Sequence, residues 1–176
     1  MPMSSTGRHN RFIMTISSAV IDFLRKKEVY ALQEECALVH WGYKGKSDFK
    51  ALIKISDIED TTVFIEETIN ELDYIQPDFL LFKNNTYLHN KNETKIAGCP
   101  DLIIEVWSKV NTKVERTFKQ DLYASSSVTE HWYIEQDSNE VICYLGNQKN
   151  ENQYLTDILV SREGFTFDLR YLAIKK

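Results

Sequence analysis

Apolar residues between Asn10 and Lys27 fall at Phe12, Ile16, Ala19, Val20, Phe23 and Leu24, a spacing that predicts one amphipathic helix. The charged run Arg25-Lys26-Lys27-Glu28 ends it. Val29 to Trp41 is rich in strand formers and reads as extended, Tyr43 to Lys50 as a turn, and Ala51 to Ser56 as a short strand. The acidic stretch from Asp57 to Asp73 carries mixed signals and receives no element. Tyr74 to Phe82 reads as a buried strand, and the polar Lys83 to Lys95 as a loop. Gly98 to Lys109 is again a strand. Between Asn111 and Ser127 the period returns to helical, with Val114, Phe118 and Leu122 on one face. Glu130–Gln136 and Glu140–Gly146 are strands joined by a hairpin at Asp137-Ser138-Asn139. Tyr154 to Val160 adds another strand, and Phe165 to Ile174 closes the chain. This order predicts a mixed β-sheet flanked by helices, an α/β fold of the mixed α+β kind, in a single domain spanning 1–176.

One strand does not fit a plain core. Gly98 to Lys109 (GCPDLIIEVWSK) is the greasiest run in its half of the chain, yet Asp101 and Glu105 sit inside it. Alternate residues of a strand share a face, so the two acids look the same way. Four residues apart means about 13 Å at about 3.3 Å per residue, too far for both to grip one ion. A third group is needed. Asp78, in Gln-Pro-Asp-Phe-Leu-Leu-Phe, supplies it if the Pro77–Phe82 strand runs antiparallel to Asp101–Trp107. Asp78 then falls opposite Glu105, where cross-strand side chains are about 5 Å apart. Two carboxylates at that spacing in an apolar sheet need a cation or a hydrogen-bond network. A hard divalent ion such as Mg²⁺ suits, because it takes one or two carboxylates and fills its shell with water and phosphate oxygens. Lys119, on the second helix beside Phe118, is the candidate cation, with Tyr123 one turn later.

Each acid also has a plainer account. Asp78 and Asp101 both follow a proline and can begin a strand or cap a turn. Glu105 fits an edge strand with one wet face. Lys119 fits an ordinary surface pair with Glu115, four residues earlier.

Composition narrows the classes. Of the 176 residues 43% are hydrophobic and 27% charged, in the range of a globular protein. No apolar run approaches the ~20 residues of a membrane span, and the N-terminus has no basic-then-apolar leader. Cys36, Cys99 and Cys143 are scattered and form no Cys-x-x-Cys pair, which points to a reducing, cytoplasmic setting. The net charge of −5 argues against a broad basic nucleic-acid face but leaves room for a local basic groove. His9, His40, His89 and His131 have no metal-ligand spacing. Ser125-Ser126-Ser127 has no Gly-x-Ser-x-Gly setting and reads as a helix-end turn.

Taken in order, these motifs resemble the Uma-two family of restriction endonucleases, a branch of the PD-(D/E)XK nuclease superfamily. The resemblance rests on Pro77-Asp78; on Pro100-Asp101 with Glu105-Val106-Trp107-Ser108; on Lys119 with Tyr123-Ala124; and on Glu130 with Trp132. Arg8-His9-Asn10-Arg11-Phe12 matches the family's first-helix start, where a histidine is common. The resemblance implies a restriction-endonuclease-like central mixed sheet and divalent-metal-dependent cleavage of DNA, with Mg²⁺ or Mn²⁺ as cofactor. It implies Asp78 and Glu105 as metal ligands, Lys119 as cationic helper and Asp101 as a further acid of the site. The wider superfamily carries its lysine two positions after the glutamate; here Trp107 stands there and Lys119 takes the part. Many family members have a hairpin before the first helix, which this chain starts almost at, leaving Glu34 or Glu35 as the candidates for its acid. The usual proline after Glu-Val-x-Ser is also missing. Two readings follow: an active DNA endonuclease, or a catalytically inactive nuclease-fold module for binding or assembly, with a homodimer as one form.

Overall fold

The computed structural model describes residues 5–26, 30–34, 37–39, 74–83, 87–89, 95–126, 128–138, 140–146, 148–154, 158–162 and 164–172. Helix α1 (Ser5–Leu24) precedes strands β1 (Tyr30–Glu34) and β2 (Ala37–Val39). Then come β3 (Tyr74–Ile75), β4 (Phe79–Lys83), β5 (Tyr87–His89), β6 (Lys95–Gly98) and β7 (Leu102–Trp107). Helix α2 (Lys113–Ser125) leads to β8 (Glu130–Glu135), β9 (Glu140–Leu145), β10 (Gln148–Tyr154), β11 (Ile158–Val160) and β12 (Thr166–Asp168).

The main sheet has the order β1-β4-β7-β8-β9-β10 and is antiparallel except between β7 and β8. Parallel neighbours need a crossover, and α2 is that crossover. A second sheet, β3-β2-β6-β5, and the β11–β12 pair complete the described strands. The mixed sheet with helices is therefore as the hydrophobic pattern predicts. Among the described residues no helix is long and apolar enough to cross a membrane.

Period two on the strands sends side chains to two cores. Leu102, Ile104 and Val106 of β7 join Phe79, Leu81, Trp132 and Ile134 under the α1 stripe of Phe12, Ile16 and Val20. Burying each of those three helix side chains stabilises the fold by about 1.5–3 kcal/mol. Ile103 and Trp107 face the other way, with Leu80, Phe82 and Tyr133, against Leu122 and Tyr123 of α2. Strand β7 is thus buried on both faces along its whole length, which is why it reads as one greasy run.

Several expectations shift. Within Val29–Trp41 the described residues form two strands in different sheets, because β1 pairs with β4 while β2 pairs with β3 and β6. Part of the predicted loop is β5, which gains its partner in β6. The stretch from Gly98 is not one strand: Gly98 ends β6, and β7 starts at Leu102 in the other sheet. The polar β10, missed in the sequence, is an edge strand of the main sheet, where polar residues discourage pairing with other chains. On α2 the apolar stripe is rotated, so that Tyr123 is buried with Leu122 while Val114 is exposed. The turn and strand expected across Tyr43–Ser56 lie outside the described residues.

Polar groups brace the sheet away from the helices' contacts. Glu130 and Trp132, two residues apart on one strand, share a face. The Glu130 carboxylate accepts from Trp132 Nε1 (2.7 Å) and from the Arg162 backbone N–H (2.7 Å). Thr112 caps α2, its hydroxyl accepting from the Glu115 N–H. Ser126 closes the other end, its N–H donating to Tyr123 O, as the helix-end reading of the serine run predicts. Burial pushes the Cys143 thiol up to about 12.

His131 is buried on β8, with Nε2 2.8 Å from Gly146 O and Nδ1 2.8 Å from Tyr133 Oη. A carbonyl only accepts, so Nε2 carries the hydrogen and Nδ1 accepts from the tyrosine O–H. Burial lowers the His131 pKa below its usual 6.5. In the window below 6.5 the unfolded chain takes a proton that the folded one refuses, so stability is lost as pH falls. Urea melts at pH 7.5 and 5.5 are expected to show the parent losing stability relative to His131→Asn as pH falls, whatever the buried acids contribute to both. A stability difference between the two proteins that is the same at both pH values would remove His131 as a source of pH dependence.

Candidate active site

Strands β4 and β7 pair antiparallel with Phe79 opposite Ile104, and one step further along the same register sets Asp78 level with Glu105. By alternation Asp78 belongs with Leu80 and Phe82, and Glu105 with Ile103 and Trp107, on the face covered by α2. Both acids therefore open toward the helix that carries Lys119. They line a cleft of 460 Å³ together with His9, Pro77, Asn111 and Lys119.

Glu105 is almost wholly buried, at 2% exposure. It stands on the third of six strands, so the edge-strand account of it does not hold. Three contacts satisfy its carboxylate. Lys119 Nζ is 2.8 Å from Oε2 and 2.8 Å from Oε1, and Tyr123 Oη donates to Oε1 at 2.7 Å. Lys119 and Tyr123 are four residues apart on α2, hence on one face. Lys119 also donates to Gln76 O at 3.1 Å, tying the helix to the segment before β4. Lys119 thus turns inward, while Glu115, its alternative partner in the sequence, accepts from Asn111 Nδ2 at 3.2 Å.

Burial raises the Glu105 carboxyl to about 7; the Lys119 charge opposes that rise and nearby Asp78 adds to it. Burial, then the same carboxylate, pushes the Tyr123 phenol well above 10.

Asp78 is held from two sides. Its Oδ2 accepts from the Val106 N–H at 2.6 Å, and its Oδ1 lies 3.6 Å from His9 Nε2 of α1. Asp101 is elsewhere. It precedes β7 and is not among the residues lining the cleft. Its backbone N–H donates to Leu81 O (2.9 Å) and its carbonyl accepts from the Glu130 N–H (3.1 Å). The structure brings Asp78, Glu105 and Lys119 together and leaves Asp101 apart. Glu34 ends β1, and Glu35 lies outside the described residues.

Arg116 was not singled out in the sequence. Its guanidinium donates to Ser108 O (2.6 Å) and Asn111 O (3.1 Å), pairs with Glu135, and lies 5.1 Å over the Trp107 ring. It holds the cleft's outer loop to β8. The one local signal for it is the spacing of Arg116 from Asn111 across a helix start, which is too common to be read unaided.

The chain matches the family model described as "Uma2: Putative restriction endonuclease" over residues 50–174. It belongs to the Uma2 family. No curated protein matches it. Among solved structures, the Uma2 chain shares its fold with one titled "a putative nuclease belonging to DUF820", from Anabaena variabilis ATCC 29413. That match has a TM-score of 0.65 at 13% identity and covers 98% of this chain and 82% of that one.

The donor set suits a hard divalent ion. Among the described residues no three of His, Cys, Asp and Glu converge to hold an ion by themselves. Two carboxylates are enough for Mg²⁺ or Mn²⁺, which keep several waters and share the rest of the shell with substrate oxygens. Asp78, with Oδ1 beside His9, and Glu105, with its oxygens on Lys119 and Tyr123, are the carboxylates of this Uma2 chain that line the cleft.

Proposed function

We propose that the protein is a divalent-metal-dependent endonuclease that hydrolyses DNA phosphodiester bonds, with Mg²⁺ or Mn²⁺ as cofactor. The observation that carries this reading is the meeting of Asp78 and Glu105, from neighbouring strands, with Lys119 in one cleft. Asp78 and Glu105 hold the ion, which when bound acidifies water and offsets charge on a phosphate.

The chain's own groups do the rest. Val106 N–H fixes one oxygen of Asp78, and the other lies 3.6 Å from His9, which also lines the cleft. Tyr123 orients Glu105 from behind, on its buried side. The Lys119 ammonium, 12% exposed and anchored on Gln76 O, sits at the acids, where it can meet a phosphate oxygen and steady the charge that builds there. Its three N–H groups are within reach of Gln76 O and the two Glu105 oxygens, so direct contact with a phosphate takes one from these partners, while its charge acts at the acids throughout. Asp101, outside the cleft, takes no direct part here; its backbone bridges β4 and β8.

Supercoiled plasmid with Mg²⁺ or Mn²⁺ is the test. The parent is expected to nick or linearise it, and Asp78→Ala to stop doing so while keeping its circular dichroism spectrum. Calorimetric titration with Mn²⁺ should show saturable binding that Asp78→Ala weakens. A folded Asp78→Ala variant that cuts like the parent would overturn the assignment. A parent that neither cuts nor binds metal would leave the inactive binding or assembly module as the reading.

A further inference from the structure

The loop between β7 and α2 is held far more firmly than a connection needs to be. Ser108 N–H donates to Asn111 Oδ1 (2.9 Å), and Asn111 N–H returns to Ser108 O (3.1 Å), closing a four-residue turn. Arg116 grips both of its ends, through Ser108 O and Asn111 O. Asp137, on the β8–β9 turn, accepts from the Lys109 N–H (3.2 Å) and pairs with Arg8 of α1. Helix α2, the β8–β9 turn and, through Arg8, α1 therefore brace a single turn.

What that turn displays is unusual for a braced element. Its two tip residues are Lys109, exposed, and Val110, 75% exposed on the cleft wall. Lys113 and Val114 repeat the pair four residues on, at the start of α2, where Val114 is 64% exposed. Single apolar residues on a surface need no account. Two valines, each beside an exposed lysine, on a preset rim of an acid-bearing cleft do. From Ser108 to Val114 there are two basic residues and no acidic one, in a chain whose net charge is −5. The rim is a local reversal of the chain's charge at the site where a polyanion would enter.

The geometry points to the Ser108–Val114 rim as a DNA-strand finger. Lys109 and Lys113 bind phosphates flanking the one in the cleft, and Val110, with Val114 behind it, packs on the sugar or base of the entering strand. This rests on the nuclease reading of the cleft and adds to it where the substrate lies. A braced finger suits the task, because ordering a loose loop on binding would cost affinity. DNA has what the rim offers contacts for: regularly spaced negative charge and apolar sugar and base faces between. Neither lysine touches the reacting phosphate, so both govern binding and not the chemical step.

The test is fluorescence anisotropy of a short labelled DNA duplex, with Ca²⁺ replacing Mg²⁺ to hold back cleavage, across a range of KCl concentrations. Lys109→Ala/Lys113→Ala is expected to lower the slope of log affinity against log salt by about 2, one for each phosphate that a lysine no longer neutralises. Val110→Asp should weaken binding by about tenfold at fixed salt. Cleavage with Mg²⁺ should show a raised KM and an unchanged kcat in both, unlike Asp78→Ala. Lys26→Ala, at the far end of α1, is the control and should match the parent. All four side chains are exposed, so the variants should fold; circular dichroism verifies that. Parent-like affinity and salt slope in the rim variants would overturn the finger while leaving the nuclease reading intact. If the parent binds no DNA at any salt concentration, the finger falls, and DNA as the substrate falls with it.

Discussion

Glu105→Gln is expected to lower metal-dependent DNA cleavage by on the order of 10³-fold while leaving the protein folded. The substitution conserves shape. An amide oxygen still accepts from Tyr123 Oη, which lies 2.7 Å from Oε1 in the parent, so the side chain keeps its place against α2. What it loses is charge. A neutral amide is a poor ligand for a hard divalent ion, and it leaves the Lys119 ammonium without the partner that lies 2.8 Å away. Cleavage rates at saturating Mn²⁺, with calorimetric Mn²⁺ affinity beside them, check the expectation. A Gln variant that cuts within about tenfold of the parent would mean that this carboxylate carries little of the chemistry.

The second large effect is on stability. Lys119→Met should cost about 3 kcal/mol at pH 9, because removing one member of a buried pair strands the other's charge. Glu105 has an escape that most buried acids lack. Its carboxyl is already raised to about 7, and Lys119 is the group that opposes the rise, so without Lys119 it takes up a proton more readily still. The folded state then binds more protons than the unfolded one above 4.5, and stability falls as pH rises through the raised pKa. The deficit of Lys119→Met should accordingly be smaller at pH 6 than at pH 9. Adding Glu105→Gln should restore most of it, since no buried charge is left. Urea melts of the parent, both single variants and the double variant at both pH values measure the coupling. A deficit under about 0.5 kcal/mol at pH 9 would show a pair weakened by solvent.

That pair illustrates how far the sequence could be read. Local periodicity was enough for α1, where Phe12, Ile16 and Val20 recur every four residues and all three are buried. It was also enough for the β8–β9 hairpin and for the alignment of Asp78 with Glu105, since antiparallel register follows from strand ends once a pairing is assumed. It failed for β5 and β10, short or polar strands that exist through their partners. It failed for Arg116 as well, whose contacts run back to Ser108 and Asn111 and forward to Glu135.

By itself, then, the order of residues determined a mixed sheet with two helices, the family, and the short set of acids and one lysine worth watching. Those are properties of spacing and side-chain chemistry, which survive in one dimension. Only the tertiary structure decided that β7 is an inner strand, that Asp101 stands away from the cleft, and that Lys119 turns to Glu105 and not to Glu115. Each of those depends on which strands lie side by side and on how α2 is rotated against them. Contacts between residues distant in the chain settle both, and no local pattern encodes them.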